Sequence, residues 1–180
     1  MHLMLGPLFD ADGAAAVTGE IVVVGLGNSY RRDDAVGIVA ATTLNDLALP
    51  GVRVVTGIPE PMSLLQAWSG ARLAIVIDAA VATPSLPGRI RRCTLRDVDD
   101  APEGLSSHGL DIGRTHALGQ VLGRVPDALV VFGIEVADTS HGIGLTARVA
   151  AAVPDVVDMA VADINRIRWP ARRSRRPASR

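Results

Sequence analysis

The chain has no lysine: all 18 of its basic residues are arginines, set against 19 acids. Seven of the 18 lie between Arg166 and Arg180, a stretch without an acid, which leaves 11 arginines against 19 acids elsewhere, a net of about −8. A body of that sign does not attract nucleic acid or an anionic membrane over its main surface, so neither is an expected partner. Cysteine is nearly missing as well. With Cys93 alone no intramolecular disulfide can form, and the chain suits a reducing, cytoplasmic compartment. No run approaches the roughly 18 apolar residues of a membrane span, and no basic stretch precedes an apolar leader, so neither export nor membrane insertion is expected. Internal repeats, a serine nucleophile elbow, a His-Glu-x-x-His pair and a phosphate loop are all missing, which removes the commonest hydrolase and nucleotide-binding readings.

What is present centres on Ile21-Val22-Val23-Val24-Gly25-Leu26-Gly27-Asn28 and the Ser29-Tyr30-Arg31-Arg32-Asp33-Asp34-Ala35-Val36-Gly37 that follows. Four consecutive aliphatic residues predict a strand buried on both faces, and the glycines allow a sharp turn at its end. A dinucleotide fingerprint would need its third glycine where Tyr30 stands, and no acid ends the next strand. Asp33 and Asp34 fall just before a helical run, where negative charge is favoured. One of them can cap that helix; both cannot, which leaves a carboxylate for chemistry at the edge where open α/β sheets bind ligands.

The rest of the chain reads as alternating elements. Residues 1–18 form an extension, 19–168 one domain, and 169–180 an arginine-rich tail too poor in apolar residues to pack. The predicted order runs as a helix over Ala35 to Leu47 with Val36, Val39, Ala40, Thr43, Leu44 and Leu47 as its apolar stripe, a strand over Val52 to Thr56, a short helix over Met62 to Trp68, and a strand over Leu73 to Ile77 that stops at Asp78. Next come an arginine-bearing edge strand over Arg89 to Leu95, which carries Cys93 as a packed residue, and a helix over Leu110 to Leu122. A strand from Leu129 to Ile134 ends at Glu135, and a closing helix over Leu145 to Ile167 is kinked or reset by Pro154. That pattern predicts a three-layer α/β sandwich with a mostly parallel five-stranded sheet.

Asp34 and Asp78 each end a buried strand or its loop, so they can share one crevice. His108, on a loop at the entry to a helix, is the histidine best placed to join them; His116, in mid-helix, reads as packed or surface, and His141 as a residue of the crevice mouth. Two carboxylates and a histidine suit a divalent first-row ion with open positions, while two close carboxylates can instead share a proton and activate water. Either chemistry fits the residues.

The motifs Gly25-Leu26-Gly27-Asn28, Arg32-Asp33-Asp34-Ala35-Val36-Gly37, the strand ending at Asp78, Ser107-His108-Gly109-Leu110, Gly133-Ile134-Glu135 and Gly142-Ile143-Gly144-Leu145-Thr146, in that order from about Glu20 to Ile164, resemble the hydrogenase maturation protease family. The resemblance implies a phosphorylase/hydrolase-like sandwich and an endopeptidase, aspartic or metal-assisted. Its substrate would be a nickel-iron hydrogenase large-subunit precursor, which loses a C-terminal extension after nickel insertion. It implies Asp34 and Asp78 as catalytic carboxylates and Asp34, Asp78 and His108 as metal ligands, with nickel brought by the precursor and zinc or cadmium able to stand in. Where the family commonly shows Asp-Gly-Gly-Thr, this chain has Thr56-Gly57-Ile58-Pro59-Glu60-Pro61, keeping the glycine without the acid. Two other readings are a nickel- or precursor-binding chaperone that does not cut, and a peptidyl-tRNA hydrolase-like enzyme, whose basic RNA-binding face the acidic body lacks.

Overall fold

All five residues of β1 (Ile21–Gly25) are buried, as a strand needs when apolar layers cover both of its faces. The structure, a computed structural model, describes residues 20–58, 60–94 and 112–168. Within them β1 is flanked in parallel by β2 (Val52–Thr56) and β3 (Leu73–Ala80); β3 in turn pairs in parallel with β5 (Leu129–Glu135). The arginine-bearing β4 (Ile90–Thr94) closes the sheet as an antiparallel edge, giving the order β2-β1-β3-β5-β4. This is the mixed five-stranded sheet expected from the sequence.

Alternation along each strand sends side chains to opposite faces. On one face Val23, Ile75, Ile77, Phe132 and Ile134 pack beneath α1 (Val36–Asp46) and α4 (Ala147–Arg168). On the other, Val22, Val24, Val76 and Val131 meet Leu64, Leu65 and Trp68 of α2 (Pro61–Trp68) and Ile112 of α3 (Ile112–Leu122). Pro61 opens α2 at the first turn, where its missing N–H costs nothing.

Three expectations need correcting. The buried stripe of α1 is Val36, Gly37, Ala40, Ala41 and Leu44, whereas Val39, Thr43 and Leu47, read as part of that stripe, face solvent. The helix presses against the sheet on its small residues, which brings its axis close. Pro154 does not reset the start of α4, which runs over 22 residues from Ala147 with the proline inside it on the exposed side. Asp78 does not follow β3 but lies inside it, because pairing with β5 continues through Asp78 opposite Gly133, Ala79 opposite Ile134 and Ala80 opposite Glu135. The extension over 1–18, His108 with its motif, and the tail over 169–180 lie outside the described residues.

Candidate active site

The crevice follows from the strand order. From β1 the chain passes through α1 on one face to β2, whereas from β3 it reaches β5 on the other side through α3 on the opposite face. Connections diverge at the β1–β3 boundary, and at such a boundary open α/β sheets leave a ligand crevice outside the strands' carboxyl ends. β1 stops pairing at Gly25, opposite Ile77. Asp78 is therefore the first residue of β3 beyond the end of β1, and it is fully buried. Its Oδ1 accepts a hydrogen bond from the Ala79 N–H at 2.8 Å. By alternation it shares a face with Ala74 and Val76, toward α2 and α3.

Asp34 reaches the same boundary from the other strand. It lies in a 3-10 turn, Arg32–Ala35, that packs against β3, and it too is buried. Backbone contacts set the approach: the Leu26 N–H donates to the Ile77 carbonyl at 2.9 Å, and Gly37, at the start of α1, has no room for a Cβ against the carbonyl oxygens of Ile77 and Leu26. Gly27, at φ 137°, lies equally close to the Asp34 carbonyl. Glycine is required at both positions because backbone meets backbone there.

The tandem acids have separate surroundings. Neither caps α1, whose N-cap is Ala35 with no side-chain bond. Asp33 reaches across to the segment after β5: its Oδ2 accepts from the Ala137 and Asp138 N–H groups at 3.0 Å and from the Thr146 hydroxyl at 2.9 Å, and its Oδ1 from the Thr146 N–H at 2.6 Å. The capping argument allowed one acid a structural task without saying which; the motif resemblance gave the chemistry to Asp34, and the structure gives the structural task to Asp33. The motif at residues 142–146 was the available signal for its partner.

A further buried acid, Glu135, was read from the sequence only as the end of a strand and part of a motif, with no task of its own. Its carboxylate accepts from Arg89 Nε at 2.6 Å, Arg91 Nε at 2.8 Å and the Leu86 N–H at 2.7 Å. Burial alone would raise its pKa, but these three donors outweigh it and hold the group down at about 2. It fastens the β3–β4 connection to the end of β5. Of the histidines, His116 is buried within α3, as expected of a packed residue, and His141 is exposed in the loop after β5. Among the described residues no three His, Cys, Asp or Glu side chains converge into a metal site.

A family model, hydrogenase maturation protease, matches residues 39–163. The chain belongs to the hydrogenase maturation protease family. It is thus a peptidase, of the family that trims hydrogenase large subunits at the C-terminus. The matched span includes Asp78 and His108 and begins just after Asp34. Solved structures repeat the fold. The hydrogenase maturating endopeptidase HybD from E. coli is similar at 23% identity, with a TM-score of 0.72 over 81% of this chain and 92% of that one. HybD from Thermococcus kodakarensis is also 23% identical, with a TM-score of 0.64 over 79% and 97%; HycI from the same organism is 20% identical, with 0.62 over 82% and 93%. A comparison with curated proteins found no match. In this protease no helix among the described residues is long and apolar enough to cross a membrane.

Proposed function

We propose that this protease removes the C-terminal extension of a nickel-iron hydrogenase large-subunit precursor once nickel is in place, acting in the cytoplasm, with Asp34 and Asp78 as its working carboxylates. The observation that carries the reading is their placement: two buried aspartates on either side of the β1–β3 boundary, at the edge where this topology opens a crevice. Oxygen donors of this kind suit a divalent ion, but two do not make a complete site. His108 is the third donor of the set, and the precursor supplies both the nickel and the remaining ligands. An incomplete site on the protease makes cleavage wait for a loaded precursor. Zinc or cadmium would replace nickel in vitro.

In this reading Asp34 and Asp78 stand at the carboxyl edge of the sheet, where an ionised carboxylate of the pair takes a proton from the attacking water and passes it to the leaving amine as the C–N bond breaks. Nickel, when bound, supplies Lewis acidity at the scissile carbonyl. The surrounding rim supports a polypeptide substrate. Tyr30 and Ile143 are 73% and 83% exposed, and Val81 and Leu86 more than half exposed, all in loops at the same edge. Large apolar side chains left in water around a crevice mark a surface that another chain covers.

The test is the intact mass of the precursor, nickel-loaded and nickel-free, after incubation with the protein. Loss of a C-terminal peptide from the loaded form alone is expected, and Asp34→Ala, Asp78→Asn and His108→Ala should each abolish it without unfolding the chain. Cleavage at the wild-type rate by all three folded variants would remove the site assignment. No cleavage of either form by the wild type would leave a protein that binds precursor without cutting.

A further inference from the structure

Asp33 does nothing in the chemistry proposed above, yet it is completely buried and all its side-chain bonds reach to a distant part of the chain. We propose that Asp33 is a positioning residue that clamps the loop after β5 onto the turn carrying Asp34, so that Asp34 is held at the crevice before substrate arrives. The inference rests on the peptidase reading and adds a residue to it.

The argument starts from backbone strain. Arg32, next to Asp33, has φ 43°, a left-handed conformation that a residue with a Cβ avoids. Such a conformation persists only where surrounding bonds over-determine it. Besides the turn's own bond from the Asp34 N–H to the Arg31 carbonyl at 3.0 Å, they come here from one segment. The Arg32 N–H donates to the Gly142 carbonyl at 3.0 Å, the Gly142 N–H to the Tyr30 carbonyl at 2.9 Å, and the Asp33 N–H to the Asp138 carbonyl at 3.1 Å. Arg31 Nε adds a bond to the Thr139 carbonyl at 3.1 Å. Most of these bonds lie at the surface, where water competes for the same groups. The Asp33 carboxylate is the buried member, and it alone joins Ala137, Asp138 and Thr146 at one point.

Asp33 and Asp34 share a four-residue turn, so the backbone of one cannot shift without the other. Without the clamp, Arg32 can relax out of the left-handed region and carry Asp34 with it. A displacement of about 1 Å in a reacting group typically costs about 100-fold in rate, while binding elsewhere on the surface continues. Loss of the clamp therefore shows chiefly in turnover.

The experiment compares wild type, Asp33→Ala, Asp33→Asn and Thr146→Val in two assays on the full chain. In precursor cleavage, kcat should fall about 100-fold in Asp33→Ala, with KM within about threefold. Asp33→Asn should lie between that variant and wild type, since its amide oxygen can keep the Ala137 and Asp138 bonds while its NH2 faces the Thr146 N–H. In hydrogen exchange read by mass spectrometry, peptides over residues 28–35 and 137–146 should lose protection together in Asp33→Ala while β3 and β5 keep theirs. A folded Asp33→Ala with wild-type kcat overturns the proposal, as does unchanged exchange over 28–35. If Asp33→Ala does not fold, Thr146→Val decides: it removes only the hydroxyl bond, and a kcat equal to wild type overturns the proposal. If the wild type cuts no precursor, the peptidase reading fails, and exchange alone judges the clamp, coupled loss supporting it and uncoupled loss refuting it.

Discussion

Replacing Gly37 by alanine sets two physical effects of opposite sign against each other. Inside a helix, alanine is favoured over glycine by about 1 kcal/mol. By propensity alone the variant is more stable than the wild type. The structure reverses that sign, since a Cβ at Gly37 runs into the carbonyl oxygens of Ile77 and Leu26, far inside the 3.0 Å that real Cβ atoms respect. Neither oxygen belongs to a flexible side chain, and the Ile77 carbonyl is already held by the Leu26 N–H. Overpacking of this kind costs about 1 to 3 kcal/mol, and backbone on both sides puts Gly37 at the upper end. Against the propensity gain, the net is a loss of about 2 kcal/mol. With a urea slope of about 2 kcal/mol per molar, the unfolding midpoint drops by about 1 M. α1 must also lift from the sheet by about an ångström just after Asp34, which lowers precursor cleavage by about 100-fold. Urea titration followed by circular dichroism and cleavage of a nickel-loaded precursor measure the two effects. A midpoint equal to or above that of the wild type would refute the close packing on which the site's placement depends.

Three further outcomes follow from particular contacts. Glu135 is held at about 2, below its ordinary value, so its stabilising contribution is complete above pH 4.5 and is lost as the pH falls through about 2; Glu135→Gln should lower stability by about 2 kcal/mol at pH 7 and flatten the acid limb of the stability curve, and an unchanged limb would contradict the assignment. Asp163 of α4 accepts from Arg92 of β4 at 2.8 and 3.1 Å, so Asp163→Ala should cost about 2 kcal/mol in urea titrations while leaving kcat unchanged at a temperature where both proteins are folded. Tyr30→Ser with Ile143→Ser should raise KM for the precursor about tenfold, the equivalent of about 1.4 kcal/mol of lost apolar contact, with kcat within threefold; an unchanged KM would place precursor docking elsewhere.

The elements of this protein were legible in its sequence because their signals are local. Ile21 to Val24, Leu73 to Ile77 and Leu129 to Ile134 are solid aliphatic runs that only a doubly covered strand can bury, and the arginines of β4 announced an edge that is wet on one side. The order and spacing of short motifs carried the family. Asp78 stood out because an acid directly after an apolar run needs a reason, and Asp34 because two tandem acids before a helix cannot both cap it. That β3 continues past Asp78 was not legible, since the continuation depends on β5 still pairing there, and the sequence of β3 holds no record of where its neighbour ends. The helical period likewise counted Val39 and Leu47 into the core of α1, when the helix lies down on Gly37, Ala40 and Ala41, a choice made by the glycine contact with β3.

Asp33 and Asp34 mark the division most clearly. By itself the sequence determined that two adjacent carboxylates stand where β1 leaves the sheet and that they cannot share one capping position. Only the tertiary structure decided which of them is committed elsewhere, because the groups that satisfy Asp33 come from Ala137, Asp138 and Thr146, more than a hundred residues along the chain. Local signals report what a residue is able to do; which partner it meets is set by the strand order that carries the end of β5 back beside the turn after β1.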